Sequence, residues 1–170
     1  MNTSPSNPNS AHDVKKMKFA EIPPLHVIVC VIGSFLLAYL VPQANQLHGM
    51  GYQLGGGICA VLGLLLTGSQ FRRFIVLDKT ELNPRAETHR VLMTNGLYRF
   101  SRNPLYLGMV IAIIGFVLLS SNVIALIYPI IFVVNLQTNI IPFEERSLTV
   151  TFGEQYVTYQ SAVPRWMLWF

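Results

Sequence analysis

The sequence predicts an all-α integral membrane protein, with about four transmembrane helices in two hairpins followed by cytoplasmic C-terminal helices. Three observations carry that expectation. The 170 residues are 52% hydrophobic and only 12% charged, about half the charge of an ordinary soluble domain. No Asp, Glu, Lys or Arg occurs in the 50 residues from Ile22 to Phe71, or in the 41 from Asn103 to Phe143. One bilayer crossing takes about 20 apolar residues, so each window has the length of a helical hairpin. Finally, all 12 Lys and Arg residues fall on one side of a four-span arrangement. The same composition excludes disordered, collagen-like and disulfide-scaffold classes.

Residues 1–21 read as a polar tail, disordered at least over Met1 to Ala11, where Ser, Asn and Pro dominate. The first apolar run, Leu25 to Val41, ends at Pro42. A cleaved secretory signal is the rival reading of this run, but the polar lead is long for one, and removal would break the charge symmetry. A polar, glycine-containing stretch from Pro42 to Gln53 then precedes a second run, Leu54 to Phe71, which completes a first hairpin over residues 22–71. The third run, Leu105 to Leu119, holds 15 strictly apolar residues and sits near the short limit for a crossing. Ser120, Ser121 and Asn122 have turn composition, and Val123 to Ile141 forms the fourth run.

Lys15, Lys16 and Lys18 precede the first span. Arg72, Arg73, Lys79, Arg85, Arg90, Arg99 and Arg102 lie between the hairpins, and Arg146 and Arg165 follow the last span. Basic residues bias loops toward the cytoplasm, which places both termini and the central loop there. A basic cytoplasmic face against anionic headgroups accounts for the net charge of +4 without nucleic acid. Cys30 and Cys59 fall within apolar runs and read as free thiols.

Common chemical signatures do not survive their context. Gly55, Gly57 and Ala60 fit a loose dinucleotide fingerprint, yet lie inside a membrane span with no preceding strand. Gly51, Gly55, Cys59 and Gly63 recur every four residues and read as a helix-packing face. The histidines His12, His26, His48 and His89 are dispersed and show no metal-ligand spacing. Neither a GxSxG elbow nor a P-loop is present.

The informative residues lie at the membrane boundary. The stretch Asn95 to Gly108 ends a polar loop and begins the third span. Asn103 followed by Pro104 is a helix start in which the Asn side chain is expected to accept from first-turn amides. With Arg102 adjacent, that start makes an anion-binding corner, although headgroup-seeking arginines on a capped helix would look the same. After the fourth span, Glu144 and Glu145 follow Pro142. They either complement the dipole of a new helix or bind a cationic ligand, since carboxylates beneath hydrocarbon need solvation or a partner.

The combination Gly96-x-Tyr98-x-x-x-Arg102-Asn103-Pro104-x-Tyr106-x-Gly108, then a span pair, then Glu144-Glu145-x-x-Leu148 and Phe152-Gly153-x-x-Tyr156-x-x-Tyr159 resembles the isoprenylcysteine carboxyl methyltransferase and phospholipid methyltransferase superfamily, its short bacterial-type members most closely. The resemblance covers about Thr80 to Arg165 and includes Thr80-x-x-Asn83-Pro84. It implies a multi-pass enzyme of a bacterial inner membrane that binds S-adenosylmethionine over residues 72–170 and methylates a membrane-associated or amphiphilic acceptor, without metal. By position, the implied cofactor contacts are Arg90, Leu92, Met93, Tyr98, Asn103, Pro104, Leu105, Tyr106 and Glu144, in a motif that also contains Arg102 and Gly108. Two departures stand out: Arg102-Asn103-Pro104 replaces the family's Arg-His-Pro, and Thr138 to Phe143 lacks the arginine that prenylcysteine enzymes use for substrate.

The residue chemistry suits such a cofactor. Glu144 can take its ammonium, Arg102 and the Asn103 helix start its carboxylate, and Tyr98 or Tyr106 its adenine or sulfonium. Glu145 is the nearest base for a thiol, amine or hydroxyl acceptor, and Arg165 can steer an anionic one or anchor at the interface with Trp166 and Trp169. A sterol-type NADPH-dependent membrane reductase, which shares an Arg-x-Pro start, and a non-catalytic membrane subunit are the alternatives.

Overall fold

The computed structural model describes residues 23–80 and 91–167. The N-terminal tail, Asn83-Pro84, Arg90 and Trp169 lie outside the described residues. Within them the chain forms helices α1 (Pro23–Leu40), α2 (Met50–Thr80), α3 (Pro104–Ser120), α4 (Ile127–Asn135), α5 (Ile141–Phe152) and α6 (Glu154–Ala162). Three helical stretches among the described residues are long and apolar enough to cross a membrane: Pro23–Leu40, Met50–Arg73 and Val123–Phe152. Helix α3 is apolar but shorter; at 1.5 Å per residue its 17 residues reach about 26 Å, just under a hydrocarbon core of about 30 Å.

Helix α3 is central. One side packs on α2 through small residues, where Gly56 and Ala60 meet Gly115, and Gly63 and Thr67 meet Gly108 and Ala112. A β-carbon on Gly108 would lie 2.6 Å from Thr67 Oγ1 and 2.8 Å from its backbone nitrogen, so bare backbone is required there. The expected four-residue stripe is thereby corrected. Of its glycines Gly63 is in this contact, whereas a β-carbon on Gly51 or Gly55 would meet nothing within 4 Å. Four residues overshoot a helical turn by about 40°, so a strict i+4 series winds off the interface, whereas Gly56, Ala60, Gly63 and Thr67 alternate steps of four and three and stay on it. The other side of α3 carries Met109, Ile113 and Val117 into a core shared with Cys30, Phe132, Leu136 and Ile141. Outward-facing Ile28, Ile32, Leu62, Leu65, Ile130 and Ile131 remain more than half exposed, as lipid-facing residues do.

The two hairpin tips meet at one end of the bundle. Ser121 takes a left-handed φ of 61° and ends α3, and Asn122 caps the following turn by accepting from the Ile124 amide at 3.0 Å. The Asn122 amide, fully buried, donates to Val41 O at 3.1 Å and Asn45 Oδ1 at 2.9 Å. The turn between α3 and α4 is thus tied to the turn after α1. Arg73, Arg102 and Arg165 lie at the other end.

Two boundaries differ from expectation. Helix α2 does not stop at Phe71 but continues to Thr80, carrying Arg72 and Arg73 out of the apolar segment on a helix rather than a loop. Pro142 does not begin a new helix either. The chain is helical through Ile140 and Ile141, with a π-turn over Leu136–Ile140. Proline lacks an amide donor and crowds the carbonyl four residues back, and a widened turn there accommodates both. With no free first-turn amides at that point, Glu144 and Glu145 do not serve as helix-dipole complements.

Candidate active site

The site assembles where α3 begins. Gly96 adopts a φ of 69° to open the single turn Gly96–Arg99, and that turn delivers Tyr98 and leads into Ser101, Arg102 and Asn103. The expected side-chain cap of α3 is absent. Asn103 instead donates through Nδ2 to the Arg165 carbonyl at 2.9 Å. Ser101, fully buried, donates through Oγ to the same carbonyl at 3.1 Å and accepts from the Asn103 amide at 3.1 Å. The Arg102 amide donates to Pro164 O at 2.9 Å. The segment after α6 is therefore strapped across the start of α3, and the first-turn amides of α3 are left without a capping side chain.

The π-turn and α5 supply the acidic side. One extra residue in a helical turn rotates everything beyond it, and the sequence after the bulge directs the paired glutamates at α3. Tyr106 donates its hydroxyl to Glu144 Oε1 at 2.5 Å. Glu145 accepts from Arg102 Nη1 at 2.8 Å, from Arg165 Nε at 3.1 Å and from Arg165 Nη2 at 2.6 Å. Arg165 Nη1 reaches Gln137 Oε1 at 3.1 Å. Both oxygens of Glu145 are thus held by guanidinium groups, so it is placed as a strut rather than as a free base. Arg165, with three nitrogens engaged, is not free to steer an acceptor. Trp166 packs against the core rather than standing as a free interfacial anchor.

Helix α6 closes the floor. Tyr156 is buried, its ring centroid 6.2 Å from that of Tyr159, and Tyr159 donates its hydroxyl to the Tyr98 carbonyl at 2.7 Å. Burial pushes the Tyr98 and Tyr159 phenols above the ordinary tyrosine value, so both are neutral. On Tyr98 the Glu144 carboxylate adds to that effect and the Arg73 guanidinium opposes it.

The structure brings Tyr98, Arg102, Asn103, Pro104, Tyr106, Glu144, Glu145 and Arg165 together. Leu92 and Met93 are half-buried on the segment leading into the Gly96 turn. Leu105 packs against the core, and Gly108 faces α2, where its missing side chain serves helix packing rather than a ligand. Sequence reasoning missed Ser101 and Gln137, whose roles depend on backbone and side-chain groups some thirty to sixty positions away. Tyr156 stands in the motif as read from the sequence, but without a role; the structure buries it beside Tyr159 on one face of α6. Some polar capacity at this corner is unused. Arg102 Nε is buried without a partner, and Glu144 Oε2 makes no hydrogen bond among the described residues.

Residues 52–155 match the family model for phospholipid methyltransferase. The chain belongs to the phospholipid methyltransferase family. The family match begins in α2, earlier than the motif resemblance, and takes in Tyr98, Arg102, Glu144 and Glu145. The chain is similar to protein-S-isoprenylcysteine O-methyltransferase of Saccharomyces cerevisiae, 29% identical over 144 residues that make up 81% of this chain and 57% of the relative. It is also similar to protein-S-isoprenylcysteine O-methyltransferase B of Arabidopsis thaliana, 32% identical over 64% of this chain and 52% of the relative. Form A from the same plant is 29% identical over 64% of this chain and 51% of the relative. The chain spans about half the length of these curated relatives. No solved structure matches it.

Proposed function

We propose that this membrane protein is an S-adenosylmethionine-dependent methyltransferase acting on a membrane-associated or amphiphilic acceptor, with its site and both termini on the cytoplasmic side. One observation carries the reading: two residues at the start of α3, Tyr106 and Arg102, are hydrogen-bonded to the paired Glu144 and Glu145, at the end of the bundle where the basic residues gather. The relatives named as methyltransferases and the positive-inside bias support it.

The groups left unsatisfied fit the donor. Glu144 Oε2 suits its ammonium, while the buried Arg102 Nε–H and the uncapped amides of α3 suit its carboxylate. The faces of Tyr98 and Tyr106 suit the sulfonium or adenine. S-adenosylmethionine supplies an electrophilic methyl group that an acceptor takes by in-line displacement. The residues of the chain contribute alignment and exclusion of water rather than covalent chemistry. Glu145 positions Arg102 and Arg165, and Tyr159 fixes the loop carrying Tyr98.

The test is transfer of labelled methyl from S-adenosylmethionine into a lipid extract by the purified chain in detergent. Label appearing in an extracted product supports the proposal. Absence of transfer together with absence of donor binding would sink it.

A further inference from the structure

Helix α2 continues past its contact with α3 and reaches the site. Its α3-facing stripe of Gly56, Ala60, Gly63 and Thr67 runs on to Gln70, and Arg73 follows one turn later on the same side. Because the two helices are antiparallel and Thr67 meets Gly108, Gln70 falls opposite the Asn103-Pro104 corner. Gln70 is only 3% exposed, and its Oε1 is buried with no partner. Its Nε2 donates merely to the neighbouring Ser69 hydroxyl at 3.1 Å. An unmet buried acceptor is costly, and more so next to hydrocarbon.

Arg73 lies against Gly96. Its positive φ favours glycine at position 96, and the absent side chain leaves the space that the Arg73 guanidinium occupies. Arg73 makes no ion pair among the described residues. It is near enough to act on the Tyr98 phenol in opposition to Glu144. Arg102 and Arg165, by contrast, are both committed to Glu145.

We propose that Arg73 and Gln70 form the acceptor-recognition subsite, Arg73 binding an anionic headgroup and Gln70 Oε1 accepting from a hydroxyl or amine on the same headgroup. This rests on the methyltransferase reading and deepens it. The cation is supplied from α2, one helical turn beyond Gln70 on the side away from the hydrocarbon. The acceptor class that follows is an acidic amphiphile carrying an N–H or O–H group beside its phosphate or carboxylate.

The experiment uses the full chain in neutral detergent and four probes: a monoacyl glycerophosphate, an N-acyl serine, an uncharged monoacylglycerol and S-adenosylhomocysteine. A charge-assisted contact is worth enough that Arg73→Gln should weaken one of the two acidic amphiphiles by about tenfold or more, with Arg73→Lys recovering much of the loss. Whichever acid responds distinguishes phosphate from carboxylate. Binding of the monoacylglycerol and of S-adenosylhomocysteine should stay within about threefold. Gln70→Leu should weaken the same acid without lowering the melting temperature, since it removes an orphaned group. The proposal is overturned if Arg73→Gln leaves both acids unchanged, or if it weakens only S-adenosylhomocysteine. Wild-type binding of S-adenosylhomocysteine is read separately, so failure of the subsite and failure of the methyltransferase reading are distinguishable.

Discussion

Removing the strut between the two arginines should unlatch the C-terminal segment from α3. The Arg102 and Glu145 side chains are 11% and 13% exposed, and Arg165 is 34% exposed. Breaking a buried pair by deleting one partner costs about 3–5 kcal/mol, because the remaining charge is left desolvated and unpaired. The Arg165 contacts, partly in water, add no more than about 1 kcal/mol. A glutamine at position 145 keeps the shape and can still accept one hydrogen bond, so Glu145→Gln is expected to lower unfolding free energy by about 3 kcal/mol. A double-mutant cycle of Glu145→Gln with Arg102→Met isolates the pair, and its coupling should be about 1.5–3 kcal/mol. The assay is reversible unfolding in mixed micelles, with proteolysis after Ala162 as a second readout. A coupling below about 0.5 kcal/mol would refute the strut, since it would put the pair in the class of exposed ion pairs.

Other outcomes follow from the same geometry. Asn122→Ala removes the amide tying the two hairpin tips and leaves buried carbonyls unmet, so thermal stability in detergent should fall by about 2–3 kcal/mol; a near-neutral result would contradict the junction. Gly63→Val forces α2 away from α3 where backbones touch, and should destabilise by about 2 kcal/mol or more on the same assay, whereas Gly55→Val, in open space, should have an effect of less than about 0.5 kcal/mol. Burial raises the Tyr98 and Tyr159 phenols, so the native state retains protons that the unfolded chain gives up above its ordinary tyrosine value near 10. Stability is therefore full below about pH 10 and declines as pH rises beyond it. A pH series of melting temperatures checks this, and Tyr159→Phe should flatten the alkaline decline while losing the bond to Tyr98.

Much of the fold is written in where charges are absent. The two uncharged windows mark the hairpins, and Ser121 and Asn122 announce the turn that the structure places between α3 and the last span. Periodicity is less forgiving: Gly51 and Gly55 look like part of a packing stripe until the 3.6-residue turn rotates them away and brings Gly56 and Ala60 in. Pro142 looks like a boundary because an isolated proline breaks a helix, but a π-turn absorbs it. The pairing of α3 with the double glutamate was legible through the motif order. Its internal wiring was not. Asn103 faces outward to the Arg165 carbonyl rather than inward to α3, and Glu145 spends both oxygens on arginines, because both choices depend on where the chain after α6 returns. Gln70 and Arg73 carried no local signal, as their significance comes from the antiparallel register of α2 against α3.

Equilibrium binding of S-adenosylhomocysteine to the purified chain, compared between wild type and Glu144→Gln, tests the central claim most directly. The account predicts saturable binding by the wild type and a loss of about tenfold or more when the carboxylate becomes an amide, as expected for one charge-assisted contact. Wild-type protein that does not bind it, or binding indifferent to position 144, would contradict the account.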